Sequence, residues 1–349
     1  MINYKVKDWN EVSQNINKTP GIKAIILNHA RDVHNDFRPF DPKHHISIAG
    51  LNTTGWSFPA NAIEVMNSGS QQQNILTLYE DWFGMLNRGY HLTAVGSSDS
   101  HDVSRFTVGQ ARTYIRGIDT NAANINIDEV LNNFRDGRTM VSFGLLAEMV
   151  VDKKYGPGDV VPAADRIIVS VSVLGPGWIK ADHVSLYANG KKIREASITK
   201  GNNPGIKWKG EWRLPRPKHD FFLVAIAEGP GMYLPFWPIA KPYQHDSPEW
   251  SPHVIGSSGA VWIDADNDGQ FTSAYEYAKE LIEASKADMN MLMKKLSSFD
   301  EAVAIQAAGL LYERGEDLTG TNITISLAHA NTLTKAGFRR FIKALKALR

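Results

Sequence analysis

The stretch Thr93-Ala-Val-Gly-Ser-Ser-Asp-Ser-His101 predicts a buried strand and also the chemistry at its end. An apolar run passes into a turn of small residues that presents Asp99 and His101, with one residue between them. A carboxylate and an imidazole held at the end of a strand are ligands that a divalent metal ion accepts. The alternative interpretation is that Asp99 only caps free backbone N–H groups of the turn.

Two other apolar runs in the N-terminal part of the chain end in similar side chains. One is Lys23-Ala-Ile-Ile-Leu-Asn-His-Ala-Arg31, in which His29 follows the run, and the other is Asn61-Ala-Ile-Glu-Val-Met-Asn67, in which Glu64 lies inside it. Both runs are short and apolar, which is typical of strands buried in a parallel sheet. The sequence therefore predicts that His29 lies near the end of a neighbouring strand.

The segments between and after these runs predict alternating helices and strands. The apolar spacing of residues 71–89 predicts a helix that ends at Gly89. A strand over Gln110–Arg116, a helix over Ile127–Phe134 and a strand over Thr139–Phe143 are expected to follow. Such alternation favours parallel strands joined by right-handed crossovers. In barrels of that class, the reactive groups lie at the carboxyl ends of the strands.

The patterns divide the chain into three predicted segments. Residues 1–145 are expected to form an α/β segment, residues 146–270 a β-sandwich, and residues 271–349 a helical segment. The first segment supplies four or five strands, too few to close a barrel of about eight. We therefore expect that a partner supplies the remaining strands, or that the chain is the carboxyl portion of a longer gene product.

The middle segment is rich in strand and turn signals. Valine and serine alternate over Arg166–Leu174, with the period of two that indicates a half-buried antiparallel strand. Asn189-Gly190 predicts a hairpin turn. Six prolines between Gly229 and Pro252 predict a long loop. Further strands are expected over Trp208–Leu214, Phe221–Ala227 and Ala260–Ile263.

The last segment is helical in pattern. One helix is expected over Tyr275–Leu296, and Ser298-Phe-Asp-Glu301 has the form of a capping box that opens a second helix. A last helix over about Lys335–Leu348 carries five basic residues near its end. We attribute these cations to the favourable interaction with a helix C-terminus rather than to a membrane surface.

Composition excludes several classes of function. The 349 residues include 38 basic and 37 acidic side chains and no cysteine, with a net charge of +1. The even charge balance disfavours nucleic acid as a partner, and the lack of cysteine excludes disulfides and thiolate metal sites. No membrane span is predicted. The first residues do not form a signal peptide, but one could precede Met1, so the compartment stays open.

The N-terminal part resembles the PHP (polymerase and histidinol phosphatase) superfamily of metal-dependent hydrolases, and within it the CehA/McbA-type branch. The β-rich part, ending in Val261-Trp-Ile-Asp-Ala-Asp-Asn-Asp-Gly-Gln-Phe271, is similar to the region after the barrel in that branch. The motifs that match in the first segment are Leu27-Asn-His-Ala-Arg31, Ala62-Ile-Glu-Val-Met-Asn67, Val95-Gly-Ser-Ser-Asp-Ser-His101, Val108-Gly-Gln-Ala-Arg-Thr-Tyr-Ile-Arg116 and Asp136-Gly-Arg-Thr-Met-Val-Ser-Phe143.

The resemblance implies an α/β fold that corresponds to the C-terminal portion of a distorted (β/α)7 barrel, with divalent metal ions at its mouth. It implies hydrolysis of phosphoesters or of other esters in a small-molecule substrate. His29 matches the histidine of an Asn-His-Pro-Arg motif, in which Ala30 here replaces proline. Asp99 and His101 match the terminal Asp-x-His ligands of the family.

Further residues near these three ligands are candidate parts of the site. Arg31 and Arg105 are candidates for contact with an anionic substrate through bidentate geometry, although ion pairs on the surface are an equal alternative. Asn28, Glu64 and Asn67 are expected to support the ligands without binding the metal.

The chain departs from the family at one important point. The family's His-x-His motif at the first strand is absent, as are its Asp-His motif and the further Glu and His ligands. Three ligands can hold one zinc, manganese or iron ion with an open position. They lack the multi-metal clamp that stabilises both oxygens of a displacement. The alternative is a non-catalytic scaffold or binding protein with a vestigial metal site.

A second candidate metal site lies in Asp264-Ala-Asp-Asn-Asp-Gly269. Asp264, Asp266 and Asp268 have the spacing that begins a calcium loop, with glycine at the sixth place. The twelfth place, where a calcium loop has glutamate, is Tyr275. A tight acidic turn without calcium is therefore the favoured interpretation.

Overall fold

The chain contains both helices and strands, and the fold is mixed α/β. The computed structural model describes residues 9–31, 39–55, 59–67, 74–101, 107–199, 201, 203–216, 218–232, 237–239 and 252–348. Within these ranges the chain forms eight α-helices and several β-sheets, and none of the described sheets closes into a barrel. No helix of the described residues is both long enough and apolar enough to cross a membrane.

The elements are numbered in chain order. The strands are β1 (Ile26–Leu27), β2 (His45–Ile46), β3 (Leu51–Asn52), β4 (Ala62–Met66), β5 (Thr93–Gly96), β6 (Ala111–Ile115), β7 (Thr139–Phe143), β8 (Leu146–Val151), β9 (Val160–Pro162), β10 (Arg166–Gly175), β11 (His183–Ala188), β12 (Lys191–Ser197), β13 (Gly205–Pro215), β14 (Phe221–Pro230), β15 (His253–Ser258) and β16 (Val261–Asp264). The helices are α1 (Trp9–Asn17), α2 (Thr77–Asn87), α3 (Ile127–Arg135), α4 (Ala274–Ala284), α5 (Met289–Leu296), α6 (Glu301–Glu313), α7 (Thr321–Ala328) and α8 (Thr332–Ala347).

A parallel sheet carries the three strand ends that the sequence singles out. Its order is β1-β4-β5. Ile63 of the central strand pairs with Leu27 of β1 on one side and with Ala94 of β5 on the other. Helix α2 connects β4 to β5 and packs on β4. The Trp82 indole N–H of α2 donates to the backbone oxygen of Leu92, 2.8 Å away, which fixes the helix against the entry to β5.

The expectation that β6 and β7 continue this parallel sheet is wrong. They pair antiparallel with each other, and β7 pairs antiparallel with β15, so that Val141 lies between Thr113 and Ser257. The physical reason is visible in β6, where Ala111 is the buried residue and the others are partly or fully exposed. That pattern suits the edge of an antiparallel sheet better than a parallel strand covered on both faces.

Two further sheets, antiparallel except for the parallel pair of β9 and β16, contain the strands of the middle of the chain. The larger has eight strands, in which β12-β11-β14-β15-β7-β6 are neighbours in that order and β16 joins β14 to β9. The smaller has the order β13-β10-β8. Strand β8 packs against β14 and β15 of the larger sheet. The predicted alternation in β10 is confirmed, because Ile167, Val169, Val171 and Val173 are buried while the residues between them are not.

The predicted hairpin turn at Asn189-Gly190 is also confirmed. It joins β11 to β12, which pair antiparallel, and both turn residues have left-handed backbone angles, with φ of 46° and 78°. Two successive positive φ values are what a tight hairpin turn requires. A Cβ atom added at Gly190 would lie 2.8 Å from the Cβ atom of Phe83, so glycine is needed there for space as well.

We expect the Gly190→Ala substitution to lower the free energy of unfolding by about 2 kcal/mol, because it adds left-handed strain and a steric clash with Phe83. Gly205→Ala is the matched control. Gly205 has a φ of 73° and no atom within 4 Å of the place that a Cβ would occupy, so it reports the backbone strain alone, about 1 kcal/mol. Urea denaturation of both variants measures the difference. Equal losses would show that the contact with Phe83 costs nothing.

The helical segment forms a second core with the N-terminal part of the chain. Its buried side chains from α4 to α8 pack with Ile46, Ala49 and Leu51. The expected single helix over Tyr275–Leu296 is wrong. It is broken into α4 and α5 at residues 285–288, where Lys286 and Ala287 have positive φ and Asp288 caps α5.

The capping box expected at Ser298–Glu301 is also wrong. Asp300 is the N-cap of α6, and its Oδ1 atom accepts from the Val303 N–H at 3.1 Å. The helix therefore begins two residues later than expected, and its N-cap side chain accepts from Val303 and not from Glu301. A complete capping box occurs instead at Ser273 and Glu276, at the start of α4.

The proline-rich loop joins β14 to β15. Its residues 233–236 and 240–251 lie outside the described ranges. The described part runs past β6 and β7, where Trp237 contacts the ring of Phe143 with centroids 5.1 Å apart. The Gln110 amide donates to the backbone oxygen of Pro238 at 3.0 Å.

Candidate functional site

The carboxyl ends of β1, β4 and β5 meet at one edge of the parallel sheet, because parallel strands all end on the same side. His29 follows β1 after Asn28, Asn67 follows β4, and Asp99 and His101 follow β5. We call the cluster of His29, Glu64, Asp99 and His101 the strand-end site. Asn28 is exposed at this edge.

Glu64 connects the strand ends below the surface. It lies in β4, the central strand, and is 1% exposed. One carboxylate oxygen accepts from the backbone N–H of His29 at 3.0 Å and from the Asn67 amide at 2.7 Å. The other accepts from the Ser97 hydroxyl. A buried carboxylate needs such donors, and here they come from all three strand ends.

Asp99 lies between the two histidines. Its Oδ1 atom is 3.5 Å from Nε2 of His29 and 2.9 Å from Nε2 of His101. The side chains of His29 and Asp99 are about a quarter exposed, whereas His101 is 72% exposed. The other ring nitrogen of His29, Nδ1, is 3.6 Å from Glu64. One ring nitrogen of His29 thus lies near the buried Glu64, and the other lies near Asp99.

The backbone at two of these residues is strained. His29 has a φ of 54° and Asp99 a φ of 50°, in the left-handed region that residues with a side chain seldom adopt. Such conformations cost about 1–3 kcal/mol and cluster at functional sites. The two strained residues follow the two outer strands of the same parallel sheet.

The donor set suits a divalent metal, but the spacing is wider than a closed site needs. Two imidazole nitrogens and one carboxylate oxygen are ligands for zinc, manganese or iron. In the described part of the chain, the only three-residue group whose ligand atoms all lie within 4.8 Å of one another is Asp220, Asp264 and Asp266. The strand-end site would therefore need side-chain movement to enclose one ion.

The guanidinium of Arg31 contacts residues that are not part of the strand-end site. Its guanidinium donates in bidentate fashion to the buried Asp81 of α2, with Nη2 2.9 Å from Oδ1, and the same nitrogen donates to the Ser47 hydroxyl at 2.7 Å. The two forked N–H donors of Arg31, which were expected to bind an anionic substrate, therefore bind Asp81 instead. Arg105, the other predicted substrate contact, lies outside the described residues.

Asp81 is a buried charge that the sequence patterns did not single out. Burial alone would raise the pKa of its carboxyl group, but Arg31 and His45, whose Nε2 is 3.4 Å away, hold the pKa below its ordinary value. Burial would lower the pKa of Arg31, and Asp81 raises it above the ordinary value. The sequence did contain a signal, because Asp81 lies among the apolar residues of the predicted helix. A charged residue on an apolar helix face usually has a partner of opposite charge.

The acidic turn after β16 is organised by backbone N–H donors. Asp264, which is 1% exposed, accepts from Asn267 at 2.6 Å and from Gly269 at 2.8 Å. The Asp268 carboxylate accepts a hydrogen bond from the backbone N–H of Gln270 at 2.8 Å. The third carboxylate near Asp264 and Asp266 is therefore that of Asp220, 44 residues earlier in the chain, and not that of Asp268.

Asp220 gives the acidic turn a pH dependence. Burial and the charge of Asp266 raise the pKa of Asp220, against the lowering effect of two backbone hydrogen bonds from Thr272 and Ala265. A carboxyl group whose pKa is raised by folding contributes stability that is present below its unfolded pKa. That contribution is lost as the pH rises through the folded value.

We expect Asp266→Asn to raise the free energy of unfolding at pH 7 by about 0.5 kcal/mol, because it removes a charge that repels ionised Asp220. The gain should vanish below pH 3.8, the ordinary pKa of aspartate, where Asp220 is protonated. The exposed Asp317, whose pKa is lowered by hydrogen bonds from Thr319, is the matched control. Asp317→Asn should not stabilise the protein. Urea titrations at both pH values distinguish the two variants, and a loss of stability in Asp266→Asn would contradict the repulsion.

Comparisons with known proteins give no relative on which to base a function. No protein-family model matches the chain, and searches of curated proteins and of solved structures find no match.

Proposed function

We propose that the strand-end site binds one divalent metal ion and that the chain is a PHP-type hydrolase of phosphoesters or other esters. In this proposal, the parallel sheet β1-β4-β5 with α2 corresponds to the C-terminal portion of the distorted barrel. The two following sheets, of which the larger also includes β6 and β7, correspond to the β-sandwich after it. One observation carries the proposal. Two non-glycine residues, His29 and Asp99, adopt left-handed backbone conformations after the two outer strands of the parallel sheet, and an oxygen of Asp99 lies 3.5 Å from Nε2 of His29.

His29, Asp99 and His101 would hold the ion, which is zinc, manganese or iron by the chemistry of the donors. When bound, such an ion acts as a Lewis acid and lowers the pKa of a bound water. The protein's own contribution is positional. Glu64 fixes the backbone of His29 and the hydroxyl of Ser97, so that the strand ends keep their places when a ligand side chain turns.

We expect weak metal binding and little or no turnover. The chain carries three of the family's ligands and lacks the histidines that complete its metal cluster. Each missing metal removes several kcal/mol of stabilisation of the transition state, and about 1.4 kcal/mol is a factor of ten in rate.

The test is to load the purified chain with zinc or manganese, to measure binding by calorimetry, and to assay a generic chromogenic phosphoester. His101→Ala is the test variant, and His44→Ala, at another exposed histidine, is the matched control. Weak binding that only His101→Ala abolishes supports the metal site. The metal site is refuted if His101→Ala binds as well as the control. Robust turnover that vanishes only in His101→Ala would show that three ligands suffice and that our expected activity is wrong.

The second candidate is a non-catalytic scaffold or binding protein with a vestigial metal site. The wide spacing of the three ligands favours it, because their donor atoms lie farther apart than those of Asp220, Asp264 and Asp266. Metal binding without turnover by any of the variants would select this function.

A further inference from the structure

A large cavity lies on another part of the molecule and shares no residue with the strand-end site. It is bounded by the β11–β12 turn, by α2, by the connection from β13 to β14, and by the starts of α6 and α8, and its volume is about 660 Å³. We call it the hairpin cavity. Cavities of this size are typical of sites for small molecules.

Polar contacts hold the walls of the hairpin cavity in place. The Asn189 amide donates to Asp300 at 2.9 Å, and the Asn87 amide donates to the backbone oxygen of Asn189 at 3.0 Å. Lys191 and Arg340 donate to opposite oxygens of Glu301, at 2.9 and 2.7 Å. These contacts tie the hairpin to α2 and α6. The cavity is therefore formed before any ligand binds, which reduces the entropy lost on binding.

One part of the lining is apolar and contains aromatic rings. Phe299 stacks on His219, with centroids 5.3 Å apart and planes 18° from parallel. Phe83 and Phe221 line the cavity on the sides of α2 and β14, and Leu214 and Leu333 complete this surface. A ring or another flat apolar body can pack against such a surface.

The other part of the lining carries an excess of positive charge. Five cationic and three acidic side chains face the cavity, although the whole chain is nearly neutral. Two of the acids are already engaged. Glu301 is paired with two cations, which lower the pKa of its carboxyl group against the raising effect of burial. Asp300 caps α6 and accepts from Asn189.

Three of the cations have no carboxylate partner within the described part of the chain. Arg194 donates to the backbone oxygen of Ile193 at 2.8 Å, and Arg216 donates to that of Ala265 at 3.1 Å. Among the described residues, no carboxylate lies within 4.0 Å of the charged nitrogens of Arg194, Arg216 or Lys218. An arginine side chain that is not paired with a carboxylate can bind the carboxylate, sulfonate or phosphate group of a ligand through two parallel N–H donors.

We propose that the hairpin cavity binds a small amphipathic anion, which has an aromatic or cyclic apolar body and one carboxylate, sulfonate or phosphate group. The body packs against Phe83, Phe221 and Phe299, and the anionic group lies between Arg194 and Arg216. The shape of the cavity supplies affinity for the body, and the two arginines supply selectivity for the charge.

The probe for this proposal is anilinonaphthalene sulfonate, an aromatic anion whose fluorescence rises on transfer to an apolar site, and N-phenylnaphthylamine is its neutral counterpart. We expect one sulfonate site per chain. The double variant Arg194→Gln/Arg216→Gln should bind the sulfonate about tenfold more weakly, which is about 1.4 kcal/mol. Its affinity for the neutral dye should change less than about twofold, since the apolar wall is intact.

Two further variants separate this site from unspecific dye binding. Lys209→Gln/Arg213→Gln removes the same charge from exposed positions of β13 that do not line the cavity, and it should leave both affinities unchanged. Ser298→Trp places a large side chain at the rim of the cavity, from an exposed position, and should weaken the binding of both dyes. Melting temperatures of all variants verify that they fold.

Three results would overturn the proposal. The first is an equal loss of sulfonate affinity in the β13 control, which would assign the effect to net charge alone. The second is a sulfonate affinity that the two arginine substitutions do not lower. The third is binding of both dyes that Ser298→Trp does not reduce, which would place them elsewhere on the surface.

Discussion

Asp81→Asn is expected to lower the free energy of unfolding at pH 7 by about 3–5 kcal/mol, the usual cost of leaving one partner of a buried ion pair alone. Asp81 is fully buried, and the side chain of Arg31 is 13% exposed. The asparagine keeps the shape of the aspartate, so the loss reports the charge that Arg31 and His45 no longer face. Urea denaturation with a single transition measures it.

The effect should depend on pH with a definite sign. The folded state lowers the pKa of Asp81, so its carboxylate contributes stability that is present above its ordinary pKa of 3.8. That stability is lost as the pH falls through the folded value, because the protonated acid pairs with Arg31 no better than asparagine does. The difference between wild type and Asp81→Asn should therefore shrink below pH 3.8.

Two controls make this result specific. Glu80→Gln removes the charge of the residue that precedes Asp81 in α2. Glu80 is exposed, so this substitution should change the free energy of unfolding by less than about 0.5 kcal/mol. Arg31→Met combined with Asp81→Leu removes both charges and should recover most of the loss, since apolar residues often replace a buried pair at little cost. A loss below about 1 kcal/mol in Asp81→Asn would mean that water reaches Arg31 and screens it.

Glu64→Leu is expected to lower both stability and metal affinity. The substitution leaves the backbone N–H of His29, the Asn67 amide and the Ser97 hydroxyl without their acceptor. Each unsatisfied donor costs roughly 1–3 kcal/mol. We expect a total loss of about 3–5 kcal/mol, in the lower part of that range, because the contacts of His29 and Ser97 are only partly buried. Zinc affinity should fall about 10- to 100-fold, as is usual when a group that supports metal ligands is removed.

The matched control is Glu148→Leu, at an exposed position of β8, which should change stability by less than about 0.5 kcal/mol and leave zinc binding alone. His101→Ala separates the two effects in the other direction. His101 is largely exposed, so its loss should weaken zinc binding without a change in stability. If Glu64→Leu destabilises the protein but binds zinc as tightly as wild type, Glu64 supports only the fold.

Elements that depend on near neighbours in the chain were predictable from the sequence. The valine and serine alternation of β10 buries one face of the strand whatever its partners are, because side chains alternate in any strand. Asn189-Gly190 forms its turn because these two residues tolerate positive φ. That His29 and Asp99 come after strands is an equally local property, since each follows an apolar run. Their meeting at one edge depends on the parallel pairing of β1, β4 and β5.

The pairing of strands depended on residues far apart in sequence. Whether β7 joins a parallel or an antiparallel sheet is decided by competition among possible neighbours, and β15, more than 100 residues later, provides the partner. Hydrophobic period describes the face of a strand and carries no information about the direction of the next one. The break between α4 and α5 is of the same kind, because the apolar spacing continues across it.

The sequence by itself determined the alternation in β10, the hairpin turn at Asn189-Gly190, the side chains that follow three strands and the charge balance of the chain. The tertiary structure alone decided which charges meet. It brought Arg31 to Asp81 from 50 residues away, placed Asp220 beside the acidic turn, and set Arg194 and Arg216 around the hairpin cavity with no carboxylate partner among the described residues. The physical reason is that backbone preferences act over a few residues, whereas electrostatic and packing energies depend on distances that exist only after the chain has folded.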